Sequence, residues 1–194
     1  MQIIHPETLL AAYKQGIFPM AESRDSESVD WFSANRRGII PIDAFHVSKN
    51  VQRLLRQEKF SVKINTCFTK VVEQCAQRAD TWINDVIINS YDVLNQHGYA
   101  HSVEVFMDQE LVGGLYGVHL NSAFFGESMF KGVPEADKVA LYYCHSILKK
   151  NRFKLWDTQF YTEHLGSFGC IEIDKDEYDL YLEEAMKKEC AFIL

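Results

Sequence analysis

The run Leu155-Trp156-Asp157-Thr158-Gln159 sets a carboxylate and an amide two residues apart. On an extended strand that spacing points both side chains to one face, while Trp156 and Thr158 take the other. Two polar groups on one face of an interior strand need partners. Asp157 and Gln159 form either a satisfied buried pair or a catalytic site, in which the carboxylate orients the amide and the amide hydrogen-bonds a substrate. A second run, Ala123 to Phe130, holds Glu127 as a lone carboxylate in an aromatic and methionine-rich strand beside Gly126. Glu127 is either half of an internal ion pair or faces a cationic amino group of a ligand, with Phe124 and Met129 lining an apolar pocket. Trp82 is either a core residue or a platform on which a base stacks. Lys49, Arg53 and Arg56, with Lys59 just beyond, make one basic face, which is either solvated surface or a dock for phosphates.

Familiar signatures argue against other chemistries. The sequence has no G-x-x-x-x-G-K, no G-x-G-x-x-G and no H-E-x-x-H, so nucleotide-hydrolysing and zinc-hydrolase readings lose support. Gly126-Glu127-Ser128-Met129-Phe130 begins like a nucleophile elbow but ends in Phe where the tight turn wants Gly, which leaves Ser128 as a strand serine. Cys144 and His145 are sequence neighbours on a helix and point in different directions, so they are read as packing residues.

The elements that must position these groups follow from periodicity and punctuation. His5 to Gly16 reads as a short helix with Pro6 in its first turn, and Gly16-Ile17-Phe18-Pro19 forces a turn. Trp31 to Ser33 and Gly38 to Ile42 read as short strands, Ser48 to Gln57 as a helix and Phe60 to Ile64 as a strand. Thr66 to Arg78 and Ile83 to His97 read as helices, the second ended by Gly98. His101 to Met107 and Leu111 to His119 flank the connection Asp108-Gln109-Glu110, and Ala123 to Phe130 adds a third antiparallel strand to this meander. Glu135 to Lys150 is helical, Lys154 to Gln159 a strand, and Asp174 to Lys188 a closing helix capped by Asp174. The expected fold is a mixed α/β or α+β domain spanning 43–194, with a small N-terminal lobe over 1–42.

Composition agrees with that outline. The 194 residues, 47% hydrophobic and 24% charged, suit one substantial core, and the aromatics are plentiful at 13 Phe, 9 Tyr and 3 Trp. A net charge of -7 disfavours general coating of nucleic acid while allowing a local basic face. No stretch is long and apolar enough for a membrane span, and the first ten residues lack a signal-peptide pattern, so a cytoplasmic location is expected. Five cysteines without a C-x-x-C pair argue against a disulfide framework or a zinc knuckle.

In order along the chain, several stretches resemble the leucyl/phenylalanyl-tRNA-protein transferase family. They are Leu9-Leu10-Ala11-Ala12-Tyr13 with Gly16-Ile17-Phe18-Pro19, Trp31-Phe32-Ser33, Thr81-Trp82-Ile83, Gly98 to Val105, Leu111 to Val118, Phe125 to Phe130, and Asp157-Thr158-Gln159 ahead of His164. The resemblance implies transfer of Leu or Phe from its tRNA to the N-terminal Arg or Lys of a protein, marking it for degradation, on a fold like that of the GNAT acetyltransferases. It implies no metal and no coenzyme. By the same resemblance Asp157 and Gln159 match the catalytic acid and amide, and Leu115, Phe124, Gly126, Glu127, Ser128 and Met129 match the aminoacyl pocket. Trp82 matches a residue stacking near the terminal adenosine, His164 belongs to the substrate-binding set, and Lys49, Arg53, Arg56 and Lys59 match the tRNA-docking surface. The chain departs from the family pattern in a shortened start, Met20 in place of an aromatic, Thr162 in place of Asn, Cys144 in place of a pocket Phe, and the segment Lys131 to Asp137. The smaller Cys144 is expected to enlarge the pocket. Two other readings remain at this stage: an acyl-CoA-dependent N-acyltransferase on the same scaffold, and a non-catalytic binder of charged tRNA ends.

Overall fold

The computed structural model describes residues 2–194. Helix α1 (Pro6–Tyr13) buries Leu9 and Tyr13, and the left-handed Gly16 (φ +70°) turns the chain into β1 (Phe18–Met20). Strand β2 (Asp30–Phe32) pairs antiparallel with β1 in a two-stranded sheet, with Phe18 opposite Phe32. The chain then enters the main sheet as β3 (Arg36–Ile39), followed by α2 (Lys49–Arg56), which Ser48 caps through its Oγ, and by β4 (Ser61–Ile64). Helices α3 (Phe68–Cys75) and α4 (Asp85–Gln96) precede the long meander β5 (Ala100–Met107), β6 (Glu110–Leu120) and β7 (Ala123–Lys131). Helix α5 (Ala136–Lys150), strand β8 (Leu155–Gln159), helix α6 (Glu163–Gly166), strand β9 (Ile171–Asp174) and helix α7 (Lys175–Met186) complete the chain.

The main sheet is mixed and seven-stranded, in the order β4-β5-β6-β7-β8-β3-β9. Every neighbouring pair is antiparallel except β7 and β8, whose connection through α5 makes them parallel. Alternation along β7 sends Phe124 and Phe125 to opposite faces, each fully buried in its own core. Phe125 joins Tyr13, Tyr91 and Tyr178 from α1, α4 and α7, whereas Phe124 joins Leu141 and Cys144 of α5 and Trp156 of β8.

Most expected elements are present, with informative differences. The β5–β6 hairpin is tighter than expected: Asp108 and Gln109 alone form the turn, both at positive φ (50° and 70°), and Glu110 already belongs to β6. Strand β9 and helix α6, four residues each, are too short to signal themselves, yet β9 closes the sheet edge against β3. Asp174 stands at the N-cap of α7 but makes no capping hydrogen bond, because its carboxylate is taken by Arg36 at 2.6 Å.

Two bulges shape the middle of the sheet. The β7–β8 ladder runs from Ala123↔Leu155 to Phe125↔Asp157 and stops there. Beyond it Glu127 is the extra residue of β7 between the pairs Gly117↔Gly126 and Tyr116↔Ser128. Thr158 is likewise the extra residue of β8 between Ile39↔Asp157 and Gly38↔Gln159. Bulges bend strands and re-aim side chains, so the two parallel strands part where the candidate polar residues lie.

Candidate functional site

Asp157 is completely buried, and its oxygens are fully engaged. Arg37 of β3 grips it with Nη2 at 2.6 Å from Oδ2 and Nε at 3.0 Å from Oδ1, and Tyr178 donates to Oδ2 at 2.8 Å. The guanidinium lies 4.8 Å from the Phe18 ring centroid and 4.5 Å from that of Tyr178, and its Nη1 donates to the Gly16 carbonyl. Burial works against the Arg37 charge, but the adjacent Asp157 carboxylate outweighs it and holds the guanidinium pKa above its ordinary value. A buried bidentate pair with additional donors is the arrangement that offsets the desolvation of both charges.

The expected steering of Gln159 by Asp157 occurs, through a different atom. Asp157 Oδ1 accepts the backbone N–H of Gln159 at 2.7 Å and does not touch its side-chain amide. That bond helps hold Gln159 in the left-handed region at φ +62°, an unfavourable place for a residue with a Cβ. Gly38 lies opposite and must be glycine: a Cβ there would sit 2.5 Å from the Phe160 carbonyl carbon and 2.7 Å from Thr158 Oγ1.

So placed, Gln159 reaches across the gap between β8 and β7, where its Nε2 donates to Glu127 Oε1 at 2.9 Å. Among the described residues Glu127 has no cationic partner. It accepts instead from Tyr13 at 2.6 Å on Oε1, while the Tyr91 hydroxyl shares its one proton between Glu127 Oε2 at 3.3 Å and the Tyr13 oxygen. Burial pushes the Glu127 carboxyl up to about 7, against the lowering effect of Tyr13, Gln159 and Tyr91, while Asp157 adds to the rise. Burial, then the Glu127 charge, likewise raise Tyr13, Tyr91 and Tyr116 well above the usual phenol value, and the Tyr116 hydroxyl is buried without a partner among the described residues.

Beside Glu127 the sheet opens into an apolar cavity of about 80 Å³. Leu115, Phe124, Gly126, Glu127, Ser128 and Met129 all line it, joined by Tyr116, Leu141, Trp156, Thr158 and Leu165. The α5 wall is Leu141; Cys144 is buried in the same core and lies off the lining. Gly126 keeps its neighbours at ordinary contact distance, since an added Cβ would be 3.4 Å from the Asp157 carbonyl oxygen and 3.6 Å from Trp156 Nε1.

Two residues expected at the substrate stand outside this cavity. His164 lines an adjoining recess of about 450 Å³ that shares Met129 as a wall and includes Arg78 and Lys131, and its Nε2 is 3.4 Å from Asp137 Oδ2 without forming a hydrogen bond. Trp82 is half-buried against the Tyr13 core, and its carbonyl accepts from Ala21. Thr162, the departure from Asn, caps α6 by accepting from Leu165 N at 3.2 Å, a task either residue type performs. Lys49, Arg53, Arg56 and Lys59 are all exposed, and among the described residues none forms an ion pair.

Sequence reasoning missed Arg37, Tyr13, Tyr91 and Tyr178 as parts of this arrangement. Tyr13 was legible only as an apolar position of α1, since helical spacing reports which face is buried and not where the hydroxyl goes. Arg37 had one available signal: between Arg36 and the buried Ile39, strand alternation directs it inward.

Comparison with known proteins shows the family. The family model described as leucyl/phenylalanyl-tRNA protein transferase matches residues 39–183, and that of its N-terminal domain matches residues 3–35. The leucyl/phenylalanyl-tRNA–protein transferase of Ruegeria sp. is 47% identical over 187 residues, covering 96% of this chain and 89% of that protein. The one from Roseobacter denitrificans is 46% identical over 188 residues, covering 97% and 90%. Among solved structures, FemX superposes with a TM-score of 0.55 at 12% identity over 87% of this chain and 66% of its own, and L-PGS from Bacillus licheniformis with 0.51 at 10% identity over 94% and 77%, a likeness of fold. With the family models spanning nearly its whole length, the chain belongs to the leucyl/phenylalanyl-tRNA protein transferase family and is an aminoacyltransferase that acts from aminoacyl-tRNA.

Proposed function

We propose that this enzyme transfers leucine or phenylalanine from its tRNA to the N-terminal Arg or Lys of an acceptor protein, a tag for degradation, in the cytoplasm and on a GNAT-like sheet whose opening between β7 and β8 is the reaction site. The observation that carries the reading is the Gln159–Glu127 hydrogen bond spanning that opening beside an apolar cavity. The donor side chain occupies the cavity. With Nε2 committed to Glu127, the Gln159 carbonyl oxygen has no partner among the described residues and is the acceptor that holds the attacking α-amine.

The amine forms a C–N bond to the ester carbonyl, the C–O bond to ribose breaks, and the proton lost by nitrogen ends on the departing ribose oxygen. The ester is already activated, and an α-amino group with a reference pKa of roughly 7.7–8.0 is partly neutral near pH 7, so alignment matters more than base strength. Glu127, with its carboxyl near neutrality, is suited to hold that proton in transit. Asp157 acts through Gln159 as a positioning residue, because none of its oxygens is free. The exposed cations of α2 and Lys59 dock the tRNA phosphates. Incubation with tRNA carrying labelled Leu or Phe and a peptide beginning with Arg or Lys tests the assignment; no label in any peptide with a basic N-terminus refutes it.

A further inference from the structure

The donor cavity is backed by a side chain from outside the matched family region. Phe192 follows α7, beyond the residues covered by the family model, and is 5% exposed. Its ring stacks on Phe124 with centroids 5.0 Å apart and planes at 18°, and on His101 at 4.6 Å and 15°. Phe124 is itself a wall of the cavity. The ring of Phe124 fits because Gly117, opposite His101 on one side and Gly126 on the other, has no side chain: a Cβ there would be 2.6 Å from Phe124 Cζ. His101 is held in turn by Asn65 at 2.9 Å, and the segment carrying Phe192 is pinned by Cys190 N to the Asn121 carbonyl and by Asn151 Nδ2 to the Ile193 carbonyl.

Size gives this bracing a consequence. The cavity of about 80 Å³ is roughly half the ~150 Å³ apolar cavity that takes up benzene. It therefore suits the isobutyl group of leucine better than a benzyl group, which needs a wall to retreat. Met129 and Leu141 can change rotamer, but Phe124 cannot move back while Phe192 fills the space behind it.

We propose that Phe192 is a specificity-determining positioning residue that braces Phe124 and keeps the donor cavity sized for leucine over phenylalanine. This rests on the donor assignment proposed above. Phe192→Ala empties the space behind Phe124 and lets the ring withdraw. Phe192→Leu keeps most of the volume without the stack.

The test is kcat/KM for leucyl- and phenylalanyl-tRNA with one Arg-headed peptide, for the unmodified protein, both Phe192 variants and Leu182→Ala, a destabilising change in the opposite core. The unmodified enzyme is expected to favour leucine, and Phe192→Ala to move the ratio about tenfold toward phenylalanine, a shift on the scale of small pocket changes. Phe192→Leu should fall between them, and Leu182→Ala should leave the ratio unchanged. An unaltered ratio in both Phe192 variants, or an equal loss for both donors, overturns the inference and leaves the functional reading standing. Transfer of neither amino acid by the unmodified protein overturns that reading and this inference with it.

Discussion

Gln159 and Glu127 are joined by a 2.9 Å hydrogen bond although they lie on strands whose ladder has already ended at Phe125 and Asp157. Glu127 is the bulged residue of β7 and Gln159 follows the bulged Thr158 of β8, and the left-handed backbone of Gln159 turns its side chain toward β7. A polar bridge across a gap in a sheet is thus built from an ion pair beneath it, Arg37–Asp157, and a tyrosine pair beside it, Tyr13–Tyr91.

The raised pKa of Glu127 has a definite sign for stability. The folded protein keeps a proton on this carboxyl up to about pH 7, whereas the unfolded chain loses it near the ordinary carboxylate value. Stability from this group therefore falls as pH rises from about 4.5 to about 7 and is level above, a loss on the order of 3 kcal/mol. Glu127→Gln should remove that part of the slope in urea unfolding measured across this range.

The same carboxyl should appear in the kinetics. The acceptor kcat/KM is expected to rise with an inflection near pH 7 from Glu127, followed by that of the substrate amine at roughly 7.7–8.0. In Glu127→Gln only the second inflection should remain. An identical pH profile in the variant would exclude Glu127 from proton handling.

Arg37 and Asp157 are expected to behave as one unit. Arg37→Met leaves the buried Asp157 charge uncompensated and should cost about 3–5 kcal/mol in equilibrium unfolding. Arg37→Met combined with Asp157→Leu should recover most of that stability, because replacing a whole buried pair by apolar groups is close to neutral. Activity should not return, since nothing then holds the Gln159 backbone.

Gly38→Ala places a methyl group against the Phe160 carbonyl and Thr158 Oγ1. The turn that presents Gln159 has to shift, so kcat should fall by about 100-fold, the scale of a 1 Å misplacement, while leucyl-tRNA affinity changes by less than about threefold. Equal loss of both would place the defect in general folding.

Charge reversal on α2 tests the docking face. Lys49→Glu with Arg53→Glu should weaken tRNA binding and reduce the slope of log K against log salt by about 0.7–0.9 for each lost phosphate contact. An unchanged slope would move the interface elsewhere on the protein.

Much of this architecture was legible in the sequence because its signals are local. The β5–β6–β7 meander alternates clearly, α5 repeats its apolar face over fifteen residues, and Ser48 announces α2. Asp157, Gln159 and Glu127 were found the same way, as polar positions in apolar strands, with Phe124 and Met129 as the apolar residues beside Glu127, whereas Leu115 and Ser128 entered the pocket only through the family resemblance. What sequence spacing did not carry is the long-range partnership: Arg37 is 120 residues from Asp157, and Tyr13 is 114 from Glu127. Residues such as these meet only when β3 inserts between β8 and β9 and α1 packs over β7, and no local pattern specifies either event. Strand β9 was missed for a simpler reason: its alternation, Ile171-Glu172-Ile173-Asp174, lasts only four residues.

The most direct measurement is transfer of labelled leucine from charged tRNA to an Arg-headed peptide by the unmodified protein and by Gln159→Ala, with leucyl-tRNA binding measured in parallel. If Gln159 aligns the attacking amine, the variant should lose about 100-fold in kcat/KM for the peptide while binding leucyl-tRNA within about twofold of the original. Full transfer activity in Gln159→Ala would contradict this account of the site.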